Sequence, residues 1–325
     1  CKALKEAPHS NTVRGALAPL DVERLERELQ QMLIRTWPDN LLNCPLEVAI
    51  DLTLIPYYGE AAPGEEDFLV TGPAKQGTTT FFAYASSYVI KKNKRVTLAL
   101  TVVRQSEKLQ EVLQRLLDRF FQLGGQLRCL YLDRQFYSVK VLQFLIEQQD
   151  LPLVMPAQKR GTTGGINGLI AREGTGLHPY TVSSTRNGRV DVQVAIVGKY
   201  LNGRWGKHGH EFYPYVVHRY PFALSSLFDK YRRRFGIESS YRVWNEGRAR
   251  TASRRVSLRL LLVGIAALLY NLWIWLKWAI VSLPRRGGRL VFHHKFPFKR
   301  LLLFLAGAIE DRYGTVNQVI IPTHS

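Results

Sequence analysis

Apolar positions change their period several times along the 325-residue chain, and each change marks an element. Asp21 stands as a helix N-cap, after which Val22, Leu25, Leu29, Met32 and Leu33 recur at helical spacing. Residues 46–55 form a short apolar run between Pro45 and Pro56, the pattern of a buried strand. Residues 59–79 are rich in Gly, Pro and Thr and predict a loop. The β-rich runs 80–90 and 95–104, parted by the polar stretch 91–94, predict an antiparallel hairpin. An amphipathic helix over 106–123 closes at Gly124 and Gly125, and a strand (127–132), a helix (138–149) and a strand (151–155) follow. From 157 to 222 the texture becomes strand-rich. A Gly/Thr cluster at 161–176 precedes the runs 180–185, 189–200 and 211–220, with Asn187-Gly188 as a turn. Helical character returns at Leu224 and lasts to about Trp278, broken near 245–248; the tail from 284 is basic and aromatic, then apolar at 301–309. No internal repeat is visible. The order β-β-β-α-β-α-β predicts an α/β fold, a mixed sheet with flanking helices.

The apolar stretch 260–283 approaches the length of a membrane span. Asn271 and Lys277 interrupt it and Arg259 adjoins it, so a helix through the centre of a large core is the expected reading, with no membrane. The composition, 46% hydrophobic and 22% charged, is globular and excludes disorder or coiled coil as a description of the whole chain. Charge changes the picture more: 45 Lys and Arg against 26 Asp and Glu give +19. A folded chain this basic meets a polyanion, nucleic acid before a membrane surface. Residues 229–259 carry ten basic and three acidic residues, and 285–300 six basic and none acidic, so +13 of the +19 lies in two segments. That is a patch, suited to phosphate contacts that give affinity without sequence readout.

Several chemistries drop out. Cys1, Cys44 and Cys129 are too scattered for a disulfide framework or a zinc site, and a reducing, cytoplasmic compartment is expected. Gly198-x4-Gly203 is followed by Arg204, so it is no phosphate loop. His208, His210, His293 and His294 lack the other ligands of a zinc site and are expected on the surface or facing phosphate. Trp205 is a candidate for base stacking, with a structural role as its plainer reading.

Three acidic residues occupy unusual positions. Asp51 lies inside an apolar strand, where an ionised carboxylate is costly without a partner. Asp133 follows a strand directly, the place where α/β sheets present catalytic groups; a turn or cap role is its bland alternative. Glu238 sits among arginines, where an ordinary i,i+4 ion pair is the alternative. Together, carboxylates converging from two strands and a helix would make an all-oxygen pocket suited to two Mg²⁺ or Mn²⁺ ions, the apparatus of phosphodiester cleavage. Tyr231, Arg234 and Glu238 are spaced i, i+3, i+7 and share one helix face.

The strand Val48-Ala-Ile-Asp51-Leu-Thr53, the strand end Leu130-Tyr-Leu-Asp133-Arg-Gln-Phe136-Tyr137 and the helix Tyr231-x2-Arg234-x3-Glu238 resemble the DDE transposases of prokaryotic insertion sequences, the insertion-sequence-four family in particular. The resemblance covers roughly 45–280, with 82 residues from Asp51 to Asp133 and 105 from there to Glu238. It implies a ribonuclease-H-like mixed sheet interrupted by a β-rich insertion. It divides the chain into an N-terminal helical segment (1–44, opening on Cys rather than Met), a first core part (45–156), the insertion (157–222), a second core part bearing the glutamate (223–283) and a basic tail (284–325). It further implies that Asp51, Asp133 and Glu238 bind the catalytic metals and that Tyr231 and Arg234 contact DNA near the scissile phosphate. The implied activity is cut-and-paste cleavage and strand transfer of double-stranded DNA by a homodimer bridging two element ends. The family signature continues with a lysine seven residues after the glutamate; here that position is Asn245, and Arg242 or Arg248 would have to supply the charge. Arg134, beside Asp133, joins the candidate DNA contacts. The departure at Asn245 leaves open a non-catalytic relative, and a nuclease of the same fold without strand transfer is the other alternative.

Overall fold

The computed structural model describes residues 8–17, 19–91, 94–203, 208–286 and 288–314. Two helices lead in, α1 (Ser10–Leu17) and α2 (Val22–Arg35). The strands β1 (Leu46–Pro56), β2 (Leu69–Lys75), β3 (Thr78–Val89) and β4 (Thr97–Val102) follow. Next come α3 (Leu109–Gln122), β5 (Leu127–Tyr131), α4 (Val139–Leu142, continued by a π turn over Gln143–Gln148) and β6 (Leu153–Pro156). The region expected as an insertion holds α5 (Gly165–Glu173), β7 (Gly176–Ser184), β8 (Gly188–Asn202) and β9 (His208–His218). The chain continues through α6 (Leu227–Arg232), α7 (Gly236–Gly247) and α8 (Val256–Ala279), then a small hairpin, β10 (Ser282–Arg285) and β11 (Gly288–Val291), and α9 (Phe298–Tyr313).

One nine-stranded sheet runs β2-β3-β1-β5-β6-β9-β8-β7, with β4 also on β3. β2 takes the first half of the outer edge of β3 and β4 the second half. Within it, β4-β3-β1 is antiparallel and β1-β5-β6 is parallel, which is the expected ribonuclease-H-like mixed sheet. The strands of 157–222 form no sheet of their own: β9 pairs antiparallel with β6 at Val154↔Val217 and so prolongs the central sheet. Helices cover both faces. Core residues of α2, α7 and α8 pack with Val48, Ala49 and Tyr131 on one face, and those of α3, α4 and α5 with Ile50, Leu130 and Leu132 on the other.

Local chemistry accounts for most boundaries. The Asp21 carboxylate accepts the Arg24 N–H at 2.9 Å and starts α2. Leu25, Leu29 and Leu33 of α2 turn inward, whereas Met32 is exposed, because the inward stripe runs 22-25-29-33 and leaves 32 on its flank. Glu111 accepts the Lys108 N–H at 3.0 Å at the head of α3, and Gly124 ends that helix at φ +80°. Two expectations are corrected. The loop of 59–79 contains β2, an edge strand that tolerates Gly72 and Pro73 because one side needs no ladder partner. The Gly/Thr cluster of 161–176 contains α5, anchored by Ile166 and Leu169.

Helix α8 is long and apolar enough, by length and composition, to cross a membrane. In this structure it packs against α2, β4 and α7. Gly264 permits the approach of α2, since a Cβ there would lie 2.5 Å from a Leu29 methyl. Asn271, fully buried, accepts the Thr97 N–H (2.8 Å) and donates to the Thr97 carbonyl and the Thr36 hydroxyl (both 3.0 Å). The polar residue that interrupts the apolar run therefore serves as a clamp between α8 and the β4 backbone.

Candidate active site

Sheet register brings the two aspartates together. In the parallel pairing of β1 with β5, Ala49 faces Tyr131. Two residues further along each strand stand Asp51 and Asp133, whose side chains point to the same face because the side-chain period is two. That face carries α7, whose Ile237 and Trp244 are buried in the same core as Ala49 and Tyr131. Glu238, in the first turn of α7, thereby reaches the carboxyl end of β1 and β5.

What the three carboxylates meet is Arg234. Its guanidinium is 1% exposed, with Nη1 3.4 Å from Asp51 Oδ2 and Nη2 3.6 Å from Asp133 Oδ1 and 3.2 Å from Glu238 Oε1. Its Nε donates to the Tyr231 hydroxyl at 3.0 Å, and that hydroxyl donates to the Leu132 carbonyl at 3.1 Å. Arg234 sits in the 3-10 turn Arg233–Phe235 that joins α6 to α7, so Tyr231, Arg234 and Glu238 do share one face. The expectation for Tyr231 and Arg234 was a contact with DNA; both are buried here, directed at the sheet and the carboxylates rather than outward.

Asp51 is held from several sides. Its Oδ1 accepts the Leu52 N–H (3.0 Å) and the Gln135 amide (3.1 Å). Its main-chain carbonyl accepts the Tyr241 hydroxyl at 3.1 Å, and Tyr241 Oη lies 2.9 Å from Ser86 Oγ. Burial raises the Asp51 pKa to about 6; the charges of Asp133 and Glu238 add to the rise, and Arg234 and the Leu52 N–H oppose it. Asp133 is more open and caps the turn Arg134–Phe136 by accepting the Arg134 N–H at 2.6 Å. The cap role weighed for it from the sequence is therefore present in the structure.

Sequence reasoning missed Gln135 and Tyr241, both of which bond to Asp51. The signal was present for Tyr241, three residues after Glu238 and on the same side of the helix. Glu47, Lys230 and Tyr131 form a neighbouring network that was also missed, with Lys230 Nζ 3.1 Å from Glu47 and the Tyr131 hydroxyl donating to Glu47 at 2.8 Å. Arg134, next to Asp133 in the chain, and Arg242, one turn after Glu238 on α7, are exposed, and so is Asn245 about one turn further on. Arg248 is half-buried and its Nε donates to Asn245 Oδ1 at 3.3 Å. A cavity of about 360 Å³ is walled by Tyr213, Tyr215, Phe228 and Tyr231, and Arg134, Lys159, Arg232 and Glu211 also line it. Trp205 lies outside the described residues.

For the metal, the donor set and the spacing say different things. Three carboxylates around one guanidinium are hard oxygen donors with more negative than positive charge. By donor chemistry they fit Mg²⁺ or Mn²⁺. As they stand, each carboxylate is turned on Arg234, and among the described residues no three Asp, Glu, His or Cys side chains are grouped closely enough to hold an ion.

No protein-family model and no curated protein sequence matches the chain. Among solved structures it is similar to a piggyBac transposase in a synaptic complex with hairpin DNA, at a TM-score of 0.55 and 11% sequence identity. The match covers 94% of this chain and 61% of the other, so the chain spans less than two thirds of its neighbour's length. At that identity the likeness is one of architecture: this mixed sheet with flanking helices is similar to the fold of that transposase.

Proposed function

We propose that the protein is a transposase that cleaves and joins DNA at the site formed by Asp51, Asp133 and Glu238. The observation that carries this reading is the convergence of these three carboxylates, from β1, from the end of β5 and from α7, on a single buried guanidinium. A structural ion pair needs one carboxylate; three from separate elements around one cation are an arrangement kept at a cost. Asp51, Asp133 and Glu238 would hold the divalent ions. Bound there, Mg²⁺ or Mn²⁺ would activate the attacking oxygen and stabilise the leaving one.

The chain's own groups supply the rest. Gln135 and the Leu52 N–H fix the orientation of Asp51, and the Tyr241 hydroxyl ties α7 to the strand that carries it. Arg134 and Arg242 are exposed and would contact DNA phosphates; Arg248 would do so from the end of α7. The aromatic cavity that Arg134 lines has the walls to receive an unstacked base, and Arg134, Lys159 and Arg232 would hold its phosphates. Two copies would bridge two DNA ends, each chain contributing one set of carboxylates. The departure from the family lysine at Asn245 is compatible with this reading, because Arg248 reaches back to that position.

The test is Mg²⁺-dependent cleavage and strand transfer on DNA taken from both flanks of the coding sequence, comparing the wild type with D51N, D133N and E238Q. The wild type should yield nicked and then joined products, and none of the variants should. Cleavage without joined product would make the protein a nuclease of this fold; no metal-dependent cleavage by the wild type would remove the catalytic reading altogether.

A further inference from the structure

On the side of α7 away from Asp51, a second cavity of about 370 Å³ opens among α7, α8, the approach to β4 and the end of β11. Its polar lining holds two cations, Arg95 and Lys277, with the His293 ring and the Ser239, Tyr88 and Tyr270 hydroxyls, and among the described residues that line it none is acidic. Lys277 is 5% exposed. Its ammonium lies 3.2 Å from the centre of the Trp273 ring and 3.4 Å from His293 Nδ1, and among the described residues no carboxylate pairs with it. Burial alone pulls its pKa down to about 8. Arg95 likewise has no carboxylate partner among the described residues. Gly236 makes room for that guanidinium, since a Cβ there would lie 2.7 Å from Arg95 Nη1. The Tyr88 hydroxyl, 1% exposed, lies near the Ser240 and Tyr270 hydroxyls without bonding geometry to either and has no hydrogen-bond partner.

Two cations sharing one concave site with no carboxylate to pair them are costly unless an anion completes them. A carboxylate would satisfy one of the cations. A phosphate group offers enough oxygens for a forked guanidinium, an ammonium and a hydroxyl at once. We propose that this cavity binds a phosphate group through Arg95, Lys277 and Ser239. The inference stands on the cavity and not on the catalytic reading, so either can fail without the other. The phosphate has two possible sources, the backbone of DNA running past this face or a small phosphate-bearing molecule.

The experiment is calorimetric titration of the full chain with inorganic phosphate at constant ionic strength, with chloride as the reference, for the wild type, K277M, R95Q and R172Q. K277M replaces the buried ammonium by an apolar side chain of similar length, and in the absence of phosphate it should fold at least as stably as the wild type. The wild type and R172Q, whose lost charge lies on α5 across the sheet, should bind phosphate saturably and alike. K277M and R95Q should each bind about tenfold or more weakly, the loss expected for a charged hydrogen bond. Absence of saturable binding in the wild type, or binding by K277M or R95Q as tight as that of the wild type, would overturn the proposal. Repeating the titration with a short DNA duplex present assigns the source: competition by the duplex identifies a backbone phosphate, and undiminished phosphate binding identifies a small molecule.

Discussion

Replacing Arg234 by methionine keeps most of the length of the side chain and deletes the guanidinium. The variant leaves Asp51 buried without its cation, strips Asp133 and Glu238 of a shared partner, and removes the Nε donor to Tyr231. Deleting one member of a buried charge pair costs about 3–5 kcal/mol, because the partner's charge stays behind uncompensated. Part of that loss must depend on pH, and the sign follows from Asp51. Its folded pKa of about 6 lies above the ordinary 3.8, so the folded state keeps a proton that the unfolded state has released. The contribution of Asp51 to stability therefore declines as pH rises from about 4 to 6 and is level above that. Arg234 is what holds this pKa down. Without it the folded pKa climbs, the decline extends to higher pH, and each added unit costs about 1.4 kcal/mol at neutral pH and above. Urea denaturation of R234M and wild type in chelator should thus show a deficit at pH 8 larger by about 1–3 kcal/mol than at pH 5. Mg²⁺ at millimolar concentration should recover part of the pH 8 deficit, since an ion that binds only the folded carboxylates stabilises them by mass action. A deficit equal at both pH values, or none at all, would refute the assignment of Arg234 as the counter-charge of Asp51.

Three further outcomes are expected. Asn271→Leu should destabilise the protein by about 2–4 kcal/mol in thermal or urea unfolding, because the Thr97 N–H and carbonyl lose their buried partners; a neutral result would show that the clamp between α8 and β4 is dispensable. Tyr241→Phe should cost about 1–2 kcal/mol through the lost hydrogen bonds to the Asp51 carbonyl and Ser86, and a Mg²⁺ titration would show whether it also loosens the carboxylate site. D51N, D133N and E238Q should each abolish metal-dependent cleavage while a filter-binding assay finds DNA affinity within a few fold of wild type; collapse of DNA binding in these variants would point to unfolding rather than lost chemistry.

Much of the architecture was legible from short-range patterns. The 22-25-29-33 stripe marks the inward face of α2, the apolar run around Asp51 marks a strand buried on both faces, and Gly124 marks the end of α3. The Asn187-Gly188 pair announces the β7–β8 hairpin, with Gly188 at φ +77°. These signals work because capping, turn geometry and side-chain periodicity act over a few residues. They fail where tertiary context decides. β2 has little alternation because it is an edge strand, and α5 hides in a glycine-rich stretch because only Ile166 and Leu169 need to reach the core. Nothing local in β9 says that it pairs with β6 and so joins the strands of 157–222 to the central sheet.

The candidate site divides along the same line. The sequence by itself singled out Asp51, Asp133 and Glu238 and put Tyr231, Arg234 and Glu238 on one helix face, since an acid in an apolar strand, an acid at a strand end and a helical spacing are all visible locally. Only the tertiary structure decided what that face meets. The β1–β5 register sets Asp51 beside Asp133, and the packing of α7 turns the Arg234 guanidinium inward to stand among three carboxylates. Likewise, only the fold sets Arg95, from the approach to β4, beside Lys277 of α8 in a cavity with no acidic lining among the described residues. The physical reason is range. Electrostatic cost and hydrogen-bond satisfaction depend on through-space distance and burial, and those are fixed between residues eighty-two or more positions apart, such as Asp51 and Asp133, only once the sheet has formed.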